Sequence, residues 1–466
     1  MAGATNTAYK AVKTVVSAIG KRIPVVLTAA RATVASVRSY QFKRLQASTP
    51  VDPSVVVFDS FNGRGYSCSP RALYRAMVRD GAYAGTEKVW IFRRPVVRAF
   101  AERGYRVLGA HEVSDGRLAT PVLEDVFSAE ALEELRGATI VAWGTSEFRR
   151  AYARAGTWVT NSVLPNFLQP RPSQTYVQTW HGTPLKRLGC DINPEVSANA
   201  MYSAKNMHDR YRNEGARLTW LLSPSRYATE KFASAFDLVA TGRTETIVEE
   251  GYPRNDCLHT FGPEDVERAR ARFGIPEGKK VVLYAPTWRD NQHSSGVGYT
   301  YEAQADFDAL RVALGDDYVI LFRAHYFIAS SFDFAAYDGF VVDVSRIDDI
   351  NDLYIVSDML VTDYSSVFFD YANLGRPIVF YMYDLEHYAG EIRGFYLDLA
   401  ELPGPIVRTN AELIDAVRDA EHEFQVDAAK LAAFRARFTN LDDGHASERV
   451  LARVLPASRP ADGPAS

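Results

Sequence analysis

What narrows the possible folds of this chain is a repeated alternation. Short apolar runs of strand length are each followed by a longer amphipathic stretch and bounded by glycine or proline. The run at 55–59 has the pattern of a buried strand, and those at 89–92, 139–143 and 175–178 read as further strands. A second series stands at 280–284, 318–322, 339–343, 359–362 and 377–381, with helices expected over 263–273 and 366–374. Strands separated by helices are joined by crossovers, which makes the sheets parallel and the class α/β. At 466 residues the chain outgrows a single core. The turn-rich Gly251-Tyr252-Pro253-Arg254-Asn255-Asp256 separates the two series. The expected organisation is two facing doubly wound parallel-sheet domains, 52–245 and 246–455, after an arm over 1–51 and before a Pro/Ala/Ser/Gly tail, 456–466, expected to be disordered.

Charge is unevenly placed. Residues 1–51 contain no acidic side chain but carry Lys10, Lys13, Lys21, Arg22, Arg31, Arg38, Lys43 and Arg44. Val12, Val15, Val16, Ile19, Ile23, Val26, Leu27, Val34 and Val37 recur near helical spacing, interrupted at Pro24. A basic amphipathic helical arm of this kind lies on an anionic membrane surface; the alternative is a helix packed on the body. Its apolar stretches are shorter than the ~20 residues that span a bilayer. The expectation is a peripheral protein at the cytoplasmic face of the cell membrane. Three dispersed cysteines without CxxC spacing give neither a disulfide framework nor a zinc ribbon. A formal net charge of −4 and the lack of any nucleic-acid motif exclude a nucleic-acid partner.

Chemistry gathers where strands end. After the run at 175–178, Trp180-His181-Gly182-Thr183-Pro184 places an imidazole at the mouth of a cleft. Gly182 permits close approach of a ligand, and Thr183 and Pro184 read as N-cap and N1 of a helix. His181 can take a proton from a hydroxyl near neutral pH; the alternative is a histidine that packs the loop. After 359–362, Thr362-Asp363-Tyr364-Ser365-Ser366 collects hydroxyls and free N–H groups at a helix start, an anion site suited to a pyrophosphate or simply a capped helix. Asp363 would orient a donor or a cation rather than touch a phosphate. Arg323 and His325 follow the run at 318–322, and Thr287 and Arg289 follow that at 280–284, so their groups converge on one rim. Arg and His can offset charge in phosphoryl transfer in place of a metal, and neither a P-loop nor a Mg²⁺-spaced carboxylate cluster occurs.

Taken together, Trp180-His181-Gly182-Thr183-Pro184, the 251–256 turn, Tyr284-Ala285-Pro286-Thr287-Trp288-Arg289, Arg323-Ala324-His325 and the 357–366 segment resemble the CDP-glycerol glycerophosphotransferases of teichoic acid synthesis. Asp59-Ser60-Phe61, Tyr66-Ser67-Cys68 and Gly375-Arg376-Pro377-Ile378 add to the match over about 55–400. The chain departs from the pattern at Ser69 and Tyr326. The resemblance implies a GT-B-like fold with an acceptor domain before a CDP-donor domain, and transfer of glycerol phosphate from CDP-glycerol to a lipid-linked acceptor with release of CMP. It implies no metal and no cofactor beyond the donor. It makes His181 the base, with His325 and the 362–366 turn holding the donor; Gly182, Thr183, Arg254, Asn255, Thr287, Arg289, Arg323, Thr362, Asp363, Ser365 and Ser366 are the substrate-binding candidates. Rival readings are a CDP-ribitol phosphotransferase, a GT-B glycosyltransferase using a nucleotide sugar, and a membrane-bound scaffold without turnover.

Overall fold

A computed structural model describes residues 24–110, 120–193, 204–287, 293–294, 298–299, 304–323, 333–386 and 394–455. Eight strands build the first sheet: β1 (Asp52–Asp59), β2 (Glu87–Phe92), β3 (Val107–Leu108), β4 (Thr139–Ala142), β5 (Ala155–Thr160), β6 (Thr175–Gln178), β7 (Trp220–Ser223) and β8 (Ile247–Glu249). Their order is β3-β4-β2-β1-β5-β6-β7-β8, and every pairing is parallel. β9 (Lys280–Ala285) opens the second sheet, and a two-strand ribbon, β10 (His293–Ser294) with β11 (Gly298–Tyr299), follows. The second sheet continues with β12 (Tyr318–Phe322), β13 (Val341–Asp343), β14 (Met359–Thr362), β15 (Ile378–Tyr381) and β16 (Ile406–Val407). Its order is β13-β12-β9-β14-β15-β16, again all parallel.

Period-two side-chain alternation explains why both sheets are covered on both faces. Val56 and Phe58 of β1 join one apolar cluster with Trp90, Phe92 and Ile140, while Val55 and Val57 join another with Val89, Ile91 and Trp158. In the second sheet Val281, Leu283 and Leu321 face one way and Val282, Tyr284 and Ile320 the other. Each sheet reverses its winding direction once, between β1 and β5 and between β9 and β14. Open α/β sheets bind ligands outside the carboxyl ends of the strands at such reversals. The loops after β5, β6 and β14 carry the candidate site.

The chain does not stay with one sheet at its end. Helix Ala420–Phe438 puts Leu431, Phe434 and Phe438 into the second sheet's core. The following helix, Ala446–Val454, puts Val450, Leu451 and Val454 into the core of the first sheet.

At the other end, Pro24–Ala47 is helical. Phe42 is buried in the first sheet's core, Leu45 packs against it, and the Gln46 amide donates to the Gln169 carbonyl (2.8 Å). The C-terminal turns of this helix therefore serve as a packing element on the first sheet's domain. The part of the arm before Pro24 and the tail from 456 lie outside the described residues. Among the described residues no helix is long and apolar enough to cross a membrane.

Candidate active site

The loop after β6 is held from below. Gln178 accepts the Trp180 N–H on its side-chain oxygen (3.1 Å), and its amide donates to Glu214 Oε1 (3.0 Å), which also accepts the Tyr176 hydroxyl (2.5 Å). Arg217 pairs with the same buried carboxylate. Trp180 is pinned in the left-handed region (φ 53°), its ring against Tyr211 and Phe236 and stacked on His181 at 4.5 Å. Such strain persists only where surroundings over-determine it, and at binding sites it fixes direction. Here the imidazole is directed into the cleft, with the Phe61 ring at its edge (5.7 Å).

One face of His181 is solvent-exposed while protein crowds the rest. Nδ1 lies 2.6 Å from the Asn161 carbonyl oxygen. A carbonyl can only accept, so Nδ1 carries the proton and the neutral ring keeps its lone pair on Nε2. Among the described residues Nε2 has no hydrogen-bond partner. Desolvation, only partly countered by the Asn161 bond, and the fields of Arg254 and Arg210 push the pKa down to about 4. Asn161 is itself fixed: its side-chain oxygen accepts the Phe61 N–H (2.7 Å) and its amide donates to Ser60 Oγ (3.2 Å).

The turn after β14 meets this loop directly. A Cβ on Gly182 would lie 2.6 Å from Ser366 Oγ, so the backbone beside His181 and the Ser366 hydroxyl are in contact. Ser365 and Ser366 are half-buried at the cleft. Asp363 is buried and its Oδ1 accepts the Thr287 N–H (2.8 Å), the Thr287 hydroxyl (2.5 Å) and the Tyr364 N–H (2.6 Å). It ties the β9 loop to the β14 turn. Thr362 is fully buried and donates its hydroxyl to the Ala285 carbonyl (2.7 Å). The helix beyond the turn is Val367–Tyr371, continued by a 3₁₀ turn at Ala372–Leu374, shorter in its α portion than the sequence suggests.

Other candidates are already engaged within the chain. Arg254 is buried, donates to Asp370 Oδ1 (2.8 Å) and to Cys68 Sγ (3.5 Å), and lies over the Tyr252 ring. The Asn255 amide bridges Asp370 Oδ1 (3.1 Å) and Asp442 Oδ2 (2.6 Å). Arg323 donates to the carbonyls of Val344 (3.2 Å) and Ile347 (2.7 Å), and burial lowers its pKa. Thr183 is buried, and no helix follows it. The chain after Pro184 runs extended instead, with Lys186 bridged to Phe395, Arg187 N–H donating to the Gly394 carbonyl (3.1 Å) and Tyr396 N–H to the Leu185 carbonyl (2.8 Å). Pairing with the second half replaces the N-cap. Arg289 and His325 lie outside the described residues. Asn161 had no sequence signal as a site residue, because β5, which delivers it, follows helix Ser146–Arg154 without a punctuating turn; Phe61 stood in a motif of the family match but was not named among the site residues. Among the described residues no group of three or more His, Cys, Asp or Glu could hold a metal ion.

The model of the family CDP-Glycerol:Poly(glycerophosphate) glycerophosphotransferase matches residues 41–456. The chain belongs to this family. It is 37% identical over 405 residues to a Staphylococcus aureus teichoic acid glycerol-phosphate transferase, covering 86% of this chain and 93% of that one. It is 38% identical over 424 residues to a Bacillus subtilis teichoic acid poly(glycerol phosphate) polymerase, covering 90% of this chain, and spans about half (51%) of that relative's length. A solved structure of the wall teichoic acid polymerase TagF is similar with a TM-score of 0.74 and 34% identity, covering 92% of this chain and 96% of that chain. The fold is therefore GT-B-like, as the family resemblance implies.

Proposed function

We propose that this family member transfers glycerol phosphate from CDP-glycerol to a terminal hydroxyl of a lipid-linked, teichoic-acid-type acceptor and releases CMP. The supporting observation is the fixed tautomer of His181, which turns a lone pair on Nε2 toward the cleft beside Ser366. In the proposed step Nε2 takes the acceptor O–H proton as that oxygen bonds to the donor's β-phosphorus. The bond from the β-phosphorus to the bridging oxygen breaks, and CMP leaves with the electron pair. Ser365, Ser366 and the cationic groups Arg323, Arg289 and His325 would offset the growing phosphate charge. Thr362, Asp363, Thr287, Arg254 and Asn255 shape the donor side through the bonds described above, the domain at 52–245 serving the acceptor and that at 246–455 the donor.

The enzyme works as a peripheral protein at the cytoplasmic face of the membrane, held by the cations of its first 51 residues. Removing residues 1–31 spares the docked Phe42 and should weaken binding to anionic vesicles without lowering turnover on a soluble acceptor. The activity is tested by following CMP or UDP release from CDP-glycerol, CDP-ribitol and UDP-sugars in parallel. CDP-glycerol should dominate. A folded His181→Ala protein should lose at least about 100-fold in kcat, the typical scale of general-base catalysis; near-normal turnover would remove His181 as the base.

A further inference from the structure

Near the imidazole the first half of the molecule carries an open pocket of about 500 Å³. Its walls are Asn62, the loop after β5 from Val163 to Asn166, and one face of helix Ala204–Arg217, where Asn206, Arg210 and Asn213 stand at helical spacing. The volume falls within the range of small-ligand pockets, roughly 300–1,000 Å³. Three links tie this pocket to His181. Asn62 follows Phe61, whose ring touches the imidazole, and Val163 lies two residues beyond the Asn161 carbonyl that holds Nδ1. Tyr211, next to Arg210, packs on Trp180 at 5.6 Å, and Trp180 stacks on His181. The charge of Arg210 is also felt at the imidazole.

The lining is chemically specific. Among the described residues no carboxylate pairs with Arg210, and the side-chain amides of Asn62, Asn166 and Asn213 make no hydrogen bond within the chain. None of the lining residues is aromatic, so a nucleobase finds no stacking surface here. Asp209 also lines the pocket; Arg212 lies 3.7 Å from its carboxylate and reduces its repulsion of an anion. Amides suit hydroxyls, and a guanidinium unengaged by any carboxylate suits a phosphate.

We infer that this pocket is the acceptor subsite: Arg210 takes a phosphate of the acceptor's terminal polyol-phosphate unit, and the amides of Asn62, Asn166 and Asn213 take its hydroxyls. The inference rests on the reading of His181 as the base, since the hydroxyl of a unit held here must reach Nε2 to be deprotonated.

The test uses the full chain, CDP-glycerol and a short soluble poly(glycerol phosphate) oligomer with a free terminal hydroxyl. Arg210→Gln, which removes the charge-assisted phosphate contact, and, separately, Asn213→Asp, which sets a negative charge beside that phosphate, both at exposed positions, should raise the acceptor KM about tenfold or more while the CDP-glycerol KM moves less than about twofold. An acceptor KM unmoved in both variants overturns the assignment, and so does an equal rise in both KM values. The base reading fails separately: an active His181→Ala enzyme removes the proton acceptor but leaves the KM split of Arg210→Gln readable. An inactive His181→Ala with an unmoved acceptor KM removes only the pocket.

Discussion

His181 works against its own solvation. Crowding by protein and two guanidinium groups favour the neutral ring, so it is ready to accept a proton across the whole neutral range. The acid limb of kcat/KM, which reports the free enzyme, should therefore fall through about pH 4 rather than near the ordinary histidine value of about 6.5. A limb at 6 or above in a pH–rate profile would contradict the environment described. Three of the non-glycine residues with positive φ, Phe61, Asn62 and Trp180, stand in the loops around this ring. Their strain, of order 1–3 kcal/mol each, is borne where direction matters. Asp348 shows the opposite balance at the seam between the halves. Burial pushes its carboxyl up to about 7, although it accepts the Tyr66 N–H (2.5 Å) from the first half. A carboxyl whose folded pKa exceeds its unfolded value holds its proton more tightly when folded. Its stabilising effect is present below about pH 4 and is lost as pH rises through about 7. Asp348→Asn keeps an acceptor oxygen without the charge. Thermal unfolding should show little change near pH 4 and a gain on the order of 2 kcal/mol at pH 8.

At the scale of elements, the decisive contact is between two turns, one after β6 and one after β14. Gly182→Ala places a methyl against Ser366 Oγ, with Ser366 Cβ at 3.5 Å, an ordinary contact distance. The substitution should cost about 1 kcal/mol and lower kcat/KM, while in a Ser366→Ala background the stability cost should vanish. A double-mutant cycle by chemical denaturation measures this coupling, and additive effects would place the two turns apart in solution. Glycine at 182 was legible in the sequence, but its partner was not: a ligand was expected where Ser366 sits. The strands at 318–322 and 359–362 were readable to the residue because they are continuous apolar runs buried on both faces. β5 was not readable, although it lies at the reversal of the first sheet. It begins Ala-Gly-Thr directly after a helix, and Gly156 is there because Pro53 of β1 leaves no room for a Cβ (2.7 Å). The extended path after Pro184 was hidden for a related reason. Thr-Pro is a sound helix start locally, and only a long-range partner, the 394–396 segment, makes extension the better choice.

Across the whole molecule, the halves are joined less by one linker than by two passages of the chain and by side chains that reach across. Leu185 and Tyr227, from connections within the first sheet, sit in the core of the second, and Arg71 reaches across to Asp349 (2.7 Å). Arg254 and Asn255 bind Asp370 and Asp442 at the crossing near residue 254, which explains why a passage that reads as a simple connection in sequence is buried. The final crossing has the largest consequence. Helix Ala446–Val454 is far in sequence from β1 and β2, yet Val450, Leu451 and Val454 complete the core that covers one face of those strands. Burying each such side chain is worth roughly 1.5–3 kcal/mol, so the three together rival a substantial fraction of the 5–15 kcal/mol by which a domain is stable. Deleting residues 445–466 should therefore destabilise the first sheet, the one that carries His181, rather than the second, to which the preceding helix Ala420–Phe438 belongs. Limited proteolysis of the truncated protein should cut first within the region of β1 to β4. Hydrogen exchange should rise in those strands while β9, β12 and β14 keep their protection. Uniform loosening of both sheets would show that the last helix acts as a general clasp, whereas unchanged exchange in β1 and β2 would show that their core is complete without it.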